Sequence, residues 1–228
     1  MTKIIPCVAF CFSFLGGSLL AQEQSCEEVF STVYDNYMWG PAEDGDPSSG
    51  FGSYYKYAIP YVEFLQNFLE EQSIKKVVDL GCGSWEFSRY IDWTGIECVG
   101  IDVSRKMISI NQDKFGSDRI QFLSGDILSV ELPEADLMVC KDVLQHLQNE
   151  DISLFLSRIK KYKHCLITND IAIDEKDDIR IHQVNRENVQ RGANRPLDLT
   201  LPPFNIKGSK VLTYPIGNHV KQVLYIRN

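Results

Sequence analysis

From Lys75 onward, short apolar segments alternate with amphipathic segments, and this alternation limits what the chain can fold into. Apolar runs of this length predict buried strands, and the segments between them predict helices. Strands joined through helices make right-handed crossovers and a parallel sheet covered on both faces. The predicted strands are 76–80, 97–103, 120–123, 135–140 and 164–169, and the predicted helices are 84–91, 104–115 and 151–162.

The C-terminal part of the sequence departs from this pattern. Residues 210–215 and 222–227 have strand character, and only a short loop separates them. Two strands joined without a helix form a hairpin, so the sheet should end in an antiparallel pair. Residues 74–228 are therefore expected to form one α/β domain.

The region before the alternation predicts two helices, at 26–37 and 57–71, joined by an acidic loop rich in glycine, serine and proline. We assign residues 22–73 to an N-terminal helical cap and loop. Residues 1–21 differ again, because Lys3 is their only charge and 4–20 are almost wholly apolar or small. This layout predicts a signal peptide or a membrane anchor, and hence a secreted or membrane-anchored protein. If the segment is not a signal, we expect the protein to be cytoplasmic.

Charge and cysteine usage restrict the partners. The formal net charge of the 228-residue chain is −8, which argues against nucleic acid held mainly through phosphate contacts. Membrane contact is expected only through residues 4–20. The cysteines form no CxxC pair, so no zinc or other metal site is predicted. The oligomeric state stays open.

A glycine turn follows the first predicted strand, within Val77-Val78-Asp79-Leu80-Gly81-Cys82-Gly83. Gly81 and Gly83 have no side chains, so a ligand can lie close to the backbone there. The carboxyl ends of parallel strands form the ligand crevice of such a sheet. The turn is therefore a candidate binding site.

Acidic residues end the next strands. Asp102 follows Gly83 by nineteen residues and can accept both hydroxyls of a ribose. A dinucleotide site would need a glycine at position 86, where Glu86 would repel phosphates. Asp79 before the turn instead suits a cationic group such as an amino acid's ammonium. Asp126 is placed to accept from an adenine amino group.

These segments resemble, in order and spacing, the cofactor-binding motifs of class I S-adenosylmethionine (SAM)-dependent methyltransferases, over residues 75–170. The resemblance implies a Rossmann-like, mostly parallel sheet of seven strands in the order 3-2-1-4-5-7-6, with SAM across the ends of the first four. It implies that Asp79, Gly81 and Gly83 hold the methionine part and that Lys141 lies near the methyl group. It assigns Asp102 to the ribose, and Val103, Asp126 and Ile127 to the adenine. Trp85 stands where the family often has a third glycine.

The remaining polar and aromatic residues near these motifs are candidates for acceptor chemistry. His146 and Asp142 are candidate bases, although His146 also fits a residue at a helix start. Candidate acceptor contacts are Trp39, Trp85, Asn169, Asp170 and Arg195. Arg195 is expected to pair either with an anionic acceptor or with Asp198, within a lid at 194–204.

The sequence thus predicts a SAM-dependent methyltransferase that methylates oxygen or nitrogen of a small molecule. Two alternatives remain at this point. One is a binding module or secreted effector that keeps the fold without turnover. The other is a nicotinamide-dependent oxidoreductase, which Glu86 and Asp79 disfavour.

Overall fold

The computed structural model describes residues 24–171, 185 and 188–228. The predicted signal or anchor at 1–21 lies outside these residues. Within the described ranges, no helix is long and apolar enough to cross a bilayer.

A seven-stranded sheet forms the centre of the structure. Its strands are β1 (Lys76–Leu80), β2 (Glu97–Asp102), β3 (Ile120–Ser124), β4 (Leu137–Lys141), β5 (His164–Ile171), β6 (Ser209–Ile216) and β7 (His219–Arg227). Their spatial order is 3-2-1-4-5-7-6, as predicted. Strands β1 to β5 pair in parallel, whereas β7 runs antiparallel to both β5 and β6. The predicted fold class is confirmed.

Four α-helices lie within the described residues: α1 (Cys26–Asp35), α2 (Tyr55–Glu71), α3 (Arg105–Phe115) and α4 (Asn149–Arg158). Side-chain caps begin two of them. Ser25 and Glu28 form a reciprocal capping box at α1, and Ser104 accepts from the third backbone amide of α3. Their positions agree with the sequence patterns to within a few residues.

The helix predicted at 84–91 is wrong. The segment contains only a single 3₁₀ turn at Ser88–Tyr90. Trp85 has φ +56°, in the left-handed region that a right-handed helix cannot include. The last turn of the predicted helix 151–162 is likewise 3₁₀, at Ile159–Lys161.

Apolar layers cover both faces of the sheet. Val78 and Leu80 of β1 pack in one cluster with Phe155 of α4, while Val77 packs in the other with Leu65 of α2. This division follows the alternation of side chains along a strand. Helices therefore cover both faces and leave the carboxyl ends of the strands as the open edge.

Candidate active site

A cavity of about 370 Å³ lies at the carboxyl ends of β1, β2 and β4. Its other walls come from α1, from the loop between α1 and α2, and from β5 and β7. The sequence-predicted residues that line it are Trp39, Asp79, Gly81, Gly83, Trp85, Asp102, Val103, Asp126, Ile127, Lys141, Asp142, His146 and Asp170. The structure therefore brings these candidates together in one place.

The glycine turn has the geometry that its sequence predicts. Gly81 and Gly83 both have positive φ, of +80° and +55°. A Cβ on Gly81 would overlap Val143, and one on Gly83 would overlap the Ser49 hydroxyl. Both positions therefore need glycine for backbone conformation and for space.

The Asp102 carboxylate is held by backbone amides. Gly83 N donates to Asp102 Oδ2 (3.0 Å), and Ser104 N donates to Asp102 Oδ1 (2.9 Å). Burial raises the pKa of Asp102, and these amides oppose that rise. The backbone amides thus fix a carboxylate that can still accept a hydroxyl hydrogen from a ribose.

The Asp79 carboxylate is buried next to Asp102, with 6 % of the residue exposed. Burial and the Asp102 charge raise its pKa to about 7, and Lys141 partly opposes the rise. Among the described residues, no hydrogen-bond donor reaches this carboxylate. A buried acid without a donor is a fitting partner for a ligand's ammonium group.

The far end of the cavity, where an adenine ring would lie, is formed after β3. Leu128 N donates to Asp126 Oδ1 (2.9 Å) and orients this carboxylate. Val103 and Ile127 line the same wall with Cys26 of α1. Two apolar side chains beside one acceptor suit the edge and face of a purine.

Trp85 is 1 % exposed and lies at the wall beside the glycine turn. Its ring stacks on Trp93 at 5.7 Å and meets Phe122 edge-on at 5.0 Å. Its φ of +56° lies in the left-handed region that favours glycine. Most of the indole nevertheless packs into the core.

Four charged side chains form a buried cluster at the ends of β4, β5 and β7. Lys141 Nζ lies 2.6 Å from Asp142 Oδ2, and Lys221 Nζ bridges Asp142 Oδ1 (2.7 Å) and Asp170 Oδ1 (2.6 Å). Burial would raise the pKa of Asp142, but the two ammonium groups outweigh it and lower the pKa to about 2. Burial lowers the pKa of Lys141, and its neighbouring carboxylates oppose this.

His146 lies at the cavity wall with its ring 5.4 Å from the Trp39 ring. Its Nδ1 is 3.3 Å from the carbonyl oxygen of Ala193. A carbonyl only accepts, so Nδ1 carries the hydrogen and Nε2 keeps its lone pair. Burial lowers the pKa of His146, which keeps the ring neutral near pH 7.

Two predicted acceptor contacts do not reach the cavity. Asn169 is buried, but its side chain is on the opposite face of β5 from that of Asp170, as strand alternation requires. Arg195 is also buried, and it donates to Leu147 O (3.1 Å) and Asn149 Oδ1 (2.7 Å). Both expectations are corrected, because neither side chain lines the cavity.

The expected Arg195–Asp198 pair is also absent from the described structure. Asp198 Oδ2 instead accepts from Lys210 Nζ (2.8 Å), and Asp198 Oδ1 accepts from Thr200. The proposed lid is anchored, since Leu197 and Leu199 are both buried in the core. Only Asn194 of that segment lines the cavity.

Sequence reasoning missed the functional neighbours that come from distant parts of the chain. Lys221 in β7 is one of them, and its signal is a lysine next to Val220 in a strand that is rich in apolar residues. Its partner follows from the register, because Asp170 pairs directly with Lys221 across β5 and β7. Gln145 is another, since its side chain bonds both the backbone amide and the carboxylate of Asp170.

Taken together, these residues fit SAM. Asp79 offers an acceptor for the ammonium, Asp102 for the ribose hydroxyls, and Asp126 for the adenine edge. Gly81 and Gly83 leave room for the methionine chain of SAM, which joins the ammonium end to the ribose.

Comparison with known proteins agrees with this geometry. Residues 77–162 match the family model described as "Methyltransferase domain". The malonyl-[acyl-carrier protein] O-methyltransferase of Pectobacterium atrosepticum is 32% identical over 78 residues, covering 34% of this chain and 30% of the relative. The magnesium-protoporphyrin O-methyltransferase of Rhodobacter capsulatus is 27% identical over 100 residues, covering 42% and 45%. The chain thus spans less than half the length of these two relatives.

Solved structures share the fold. Magnesium protoporphyrin IX methyltransferase from Synechocystis PCC 6803, solved with bound SAM, superposes with a TM-score of 0.58 at 13% identity, covering 90% of this chain and 97% of that one. Human N-acetylserotonin methyltransferase in complex with SAM gives 0.55 at 16% identity, covering 90% and 60%. Residues 77–162 are thus similar to methyltransferase domains, and the strand order is that of the fold shared by class I SAM-dependent methyltransferases.

Proposed function

We propose that this protein transfers a methyl group from SAM to an oxygen or nitrogen atom of a small-molecule acceptor. The main support is that the acids at the ends of β1, β2 and β3 face the same cavity as His146 and the charged cluster that contains Lys221. A cofactor held by the acids would therefore have its reactive end near ionisable groups. Two of the curated relatives, those described above, are O-methyltransferases by name, which favours an oxygen acceptor.

His146 is the better of the two candidate bases. A general base must hold a free lone pair at working pH. Nδ1 of His146 donates to the Ala193 carbonyl oxygen, so Nε2 of the neutral ring can accept a proton. Asp142 has a pKa of about 2 and two lysine partners, so it has little tendency to take a proton. Asp142 instead orients Lys141 and Lys221.

Bound SAM supplies an electrophilic methyl group on a positively charged sulfur. The protein's contribution is alignment and exclusion of water, because transfer is an in-line displacement. Asp79, Asp102 and Asp126 fix the cofactor at three points. Trp39 and His146 form part of the wall on the acceptor side, and Nε2 accepts the acceptor's proton as its nucleophile reacts.

The test is release of S-adenosylhomocysteine from SAM by the purified full chain in the presence of an acceptor panel. The panel contains carboxylic acids, phenols and amines, together with a malonyl-loaded carrier protein and a magnesium porphyrin. Turnover with a free small molecule supports the proposal. Turnover only with the carrier-bound acid would overturn its small-molecule part. Tight SAM binding without turnover of any acceptor would favour the non-catalytic binding module.

A further inference from the structure

Glu86 is a buried carboxylate that lies between the glycine turn and the loop preceding α2. The residue is 8 % exposed, and its Oε2 accepts from three serine hydroxyls. Ser48 Oγ and Ser84 Oγ each donate to it at 2.8 Å, and Ser53 Oγ is the third partner. Ser84 is two residues away in sequence, whereas the other two serines come from a separate segment.

That segment, residues 48–53, is here called the strap. Its first half packs on the glycine turn, where Ser84 N donates to Ser49 Oγ (2.7 Å) and Ser49 N donates to Ser84 Oγ (3.0 Å). Its second half reaches the buried ion cluster, where Lys141 Nζ donates to Gly52 O (2.8 Å). Most of the strap lines the cavity, so it forms a wall from one end of the site to the other.

The hydrogen bonds around Glu86 define the strap's conformation at both ends. Ser48 Oγ donates to Glu86 and accepts from Gly50 N (3.0 Å), so its single hydroxyl joins the carboxylate to the strap backbone. Ser53 Oγ lies against both Glu86 and Gly50 O, and Ser53 N donates to Gly50 O (2.9 Å). Gly50 has φ +86°, which permits the tight turn between the two serines.

We propose that Glu86 is a positioning residue: its carboxylate holds the strap against the glycine turn and so sets the affinity and residence time of the cofactor. A carboxylate only accepts hydrogen bonds, so Oε2 can accept from Ser48 and Ser84, while the Ser53 hydroxyl shares its one hydrogen between Oε2 and Gly50 O. Buried without them it would cost several kcal/mol, and an apolar residue would serve a purely structural turn better. The inference rests on the proposed cofactor site, but it can be tested without any ligand.

The first measurement is deuterium uptake by the strap in the ligand-free protein. Glu86→Gln keeps the size of the side chain but replaces a charged acceptor by a neutral amide, which weakens each strap bond by about half. We expect exchange of the Ser49, Gly50 and Ser53 amides to become roughly tenfold faster or more. Asp198→Asn is the matched control, because Asp198 is a buried, multiply bonded carboxylate outside the cavity wall. It should leave strap exchange unchanged.

The second measurement is cofactor binding by calorimetry and stopped flow. We expect Glu86→Gln to weaken SAM affinity and to speed dissociation of S-adenosylhomocysteine by roughly 10- to 30-fold, while Asp198→Asn changes neither. Ser48→Ala should have a similar but smaller effect. Combined with Glu86→Gln, the added effect should be smaller than the effect of Ser48→Ala alone, because both changes act on the same hydrogen bond.

The outcomes separate this inference from the proposed function. Unchanged strap exchange in Glu86→Gln overturns the positioning role, whatever the protein binds. Altered exchange with unaltered SAM binding overturns the link between strap and cofactor. A wild-type protein that ignores SAM while Glu86→Gln loosens the strap would contradict both the proposed function and the cofactor role of the strap, leaving Glu86 only a structural contact.

Discussion

The raised pKa of Asp79 predicts an unusual pH dependence of cofactor binding. Burial and the Asp102 charge bring this pKa to about 7 in the ligand-free protein. Only the ionised carboxylate can pair with the cofactor's ammonium. Affinity should therefore fall as pH drops below 7, and between pH 7.5 and pH 5.5 the loss should be about 25-fold. Above about pH 8 the ammonium itself loses its proton, so affinity should pass through a maximum between these values.

The same shift predicts how pH affects the empty protein. The folded pKa of Asp79 lies above its unfolded value of 3.8, so its protonated form is favoured in the folded state. The associated stability is fully present below the unfolded pKa and is lost as pH rises through about 7. SAM should restore this stability, because its ammonium pairs with the ionised Asp79 carboxylate. The thermal shift on adding SAM should therefore be larger at pH 8 than at pH 6.

Calorimetry from pH 5.5 to 8.5 measures the first effect. S-adenosylhomocysteine carries the same ammonium and should follow the same curve, whereas methylthioadenosine lacks the amino acid part and should bind with nearly constant affinity. Asp79→Asn should weaken SAM binding and remove the fall in affinity below pH 7. Flat SAM affinity across this range in the wild-type protein would refute the assignment of Asp79 to the ammonium.

Three further substitutions test other parts of the site. Asp102→Ala should reduce SAM affinity at least 100-fold while circular dichroism stays native, since two charge-assisted ribose bonds are lost; an unchanged calorimetric affinity would contradict the ribose contact. His146→Asn should lower the rate of methyl transfer by about 10²–10⁴ with SAM affinity within threefold, and a normal rate in single-turnover assays would remove it as the base. Gly83→Ala should cost about 1–2 kcal/mol from its left-handed backbone alone and displace Ser49, so chemical denaturation should show lower stability; no loss would mean that the turn relaxes freely.

The sequence was informative where a residue's role depends on its position at a strand end. Asp79 and Asp102 lie at the ends of β1 and β2, Asp126 follows β3, and parallel strands bring these ends together. The helix expected after the turn failed because apolar spacing carries no information about φ, and Trp85 adopts a left-handed conformation. A glycine there would have signalled the break.

Contacts between distant segments were the least predictable. Glu86 was interpreted only as unfavourable for a phosphate; its partner Ser48 lies 38 residues earlier, and no local pattern joins the two. Lys221 became interpretable only with the register of β7 against β5. Asn169 was placed at the right strand end, but its alternation relative to Asp170 directs it away from the cavity.

The residues that line the cavity come only in part from the region shared with relatives. The family match spans 77–162, whereas the strap precedes it and Lys221 follows it. Under the proposed function, a fragment trimmed to the shared region would keep Asp79, Asp102 and Asp126 and lose the strap and Lys221. Swapping the flanking stretches between related chains, while keeping the shared middle, would therefore test whether these stretches determine the acceptor.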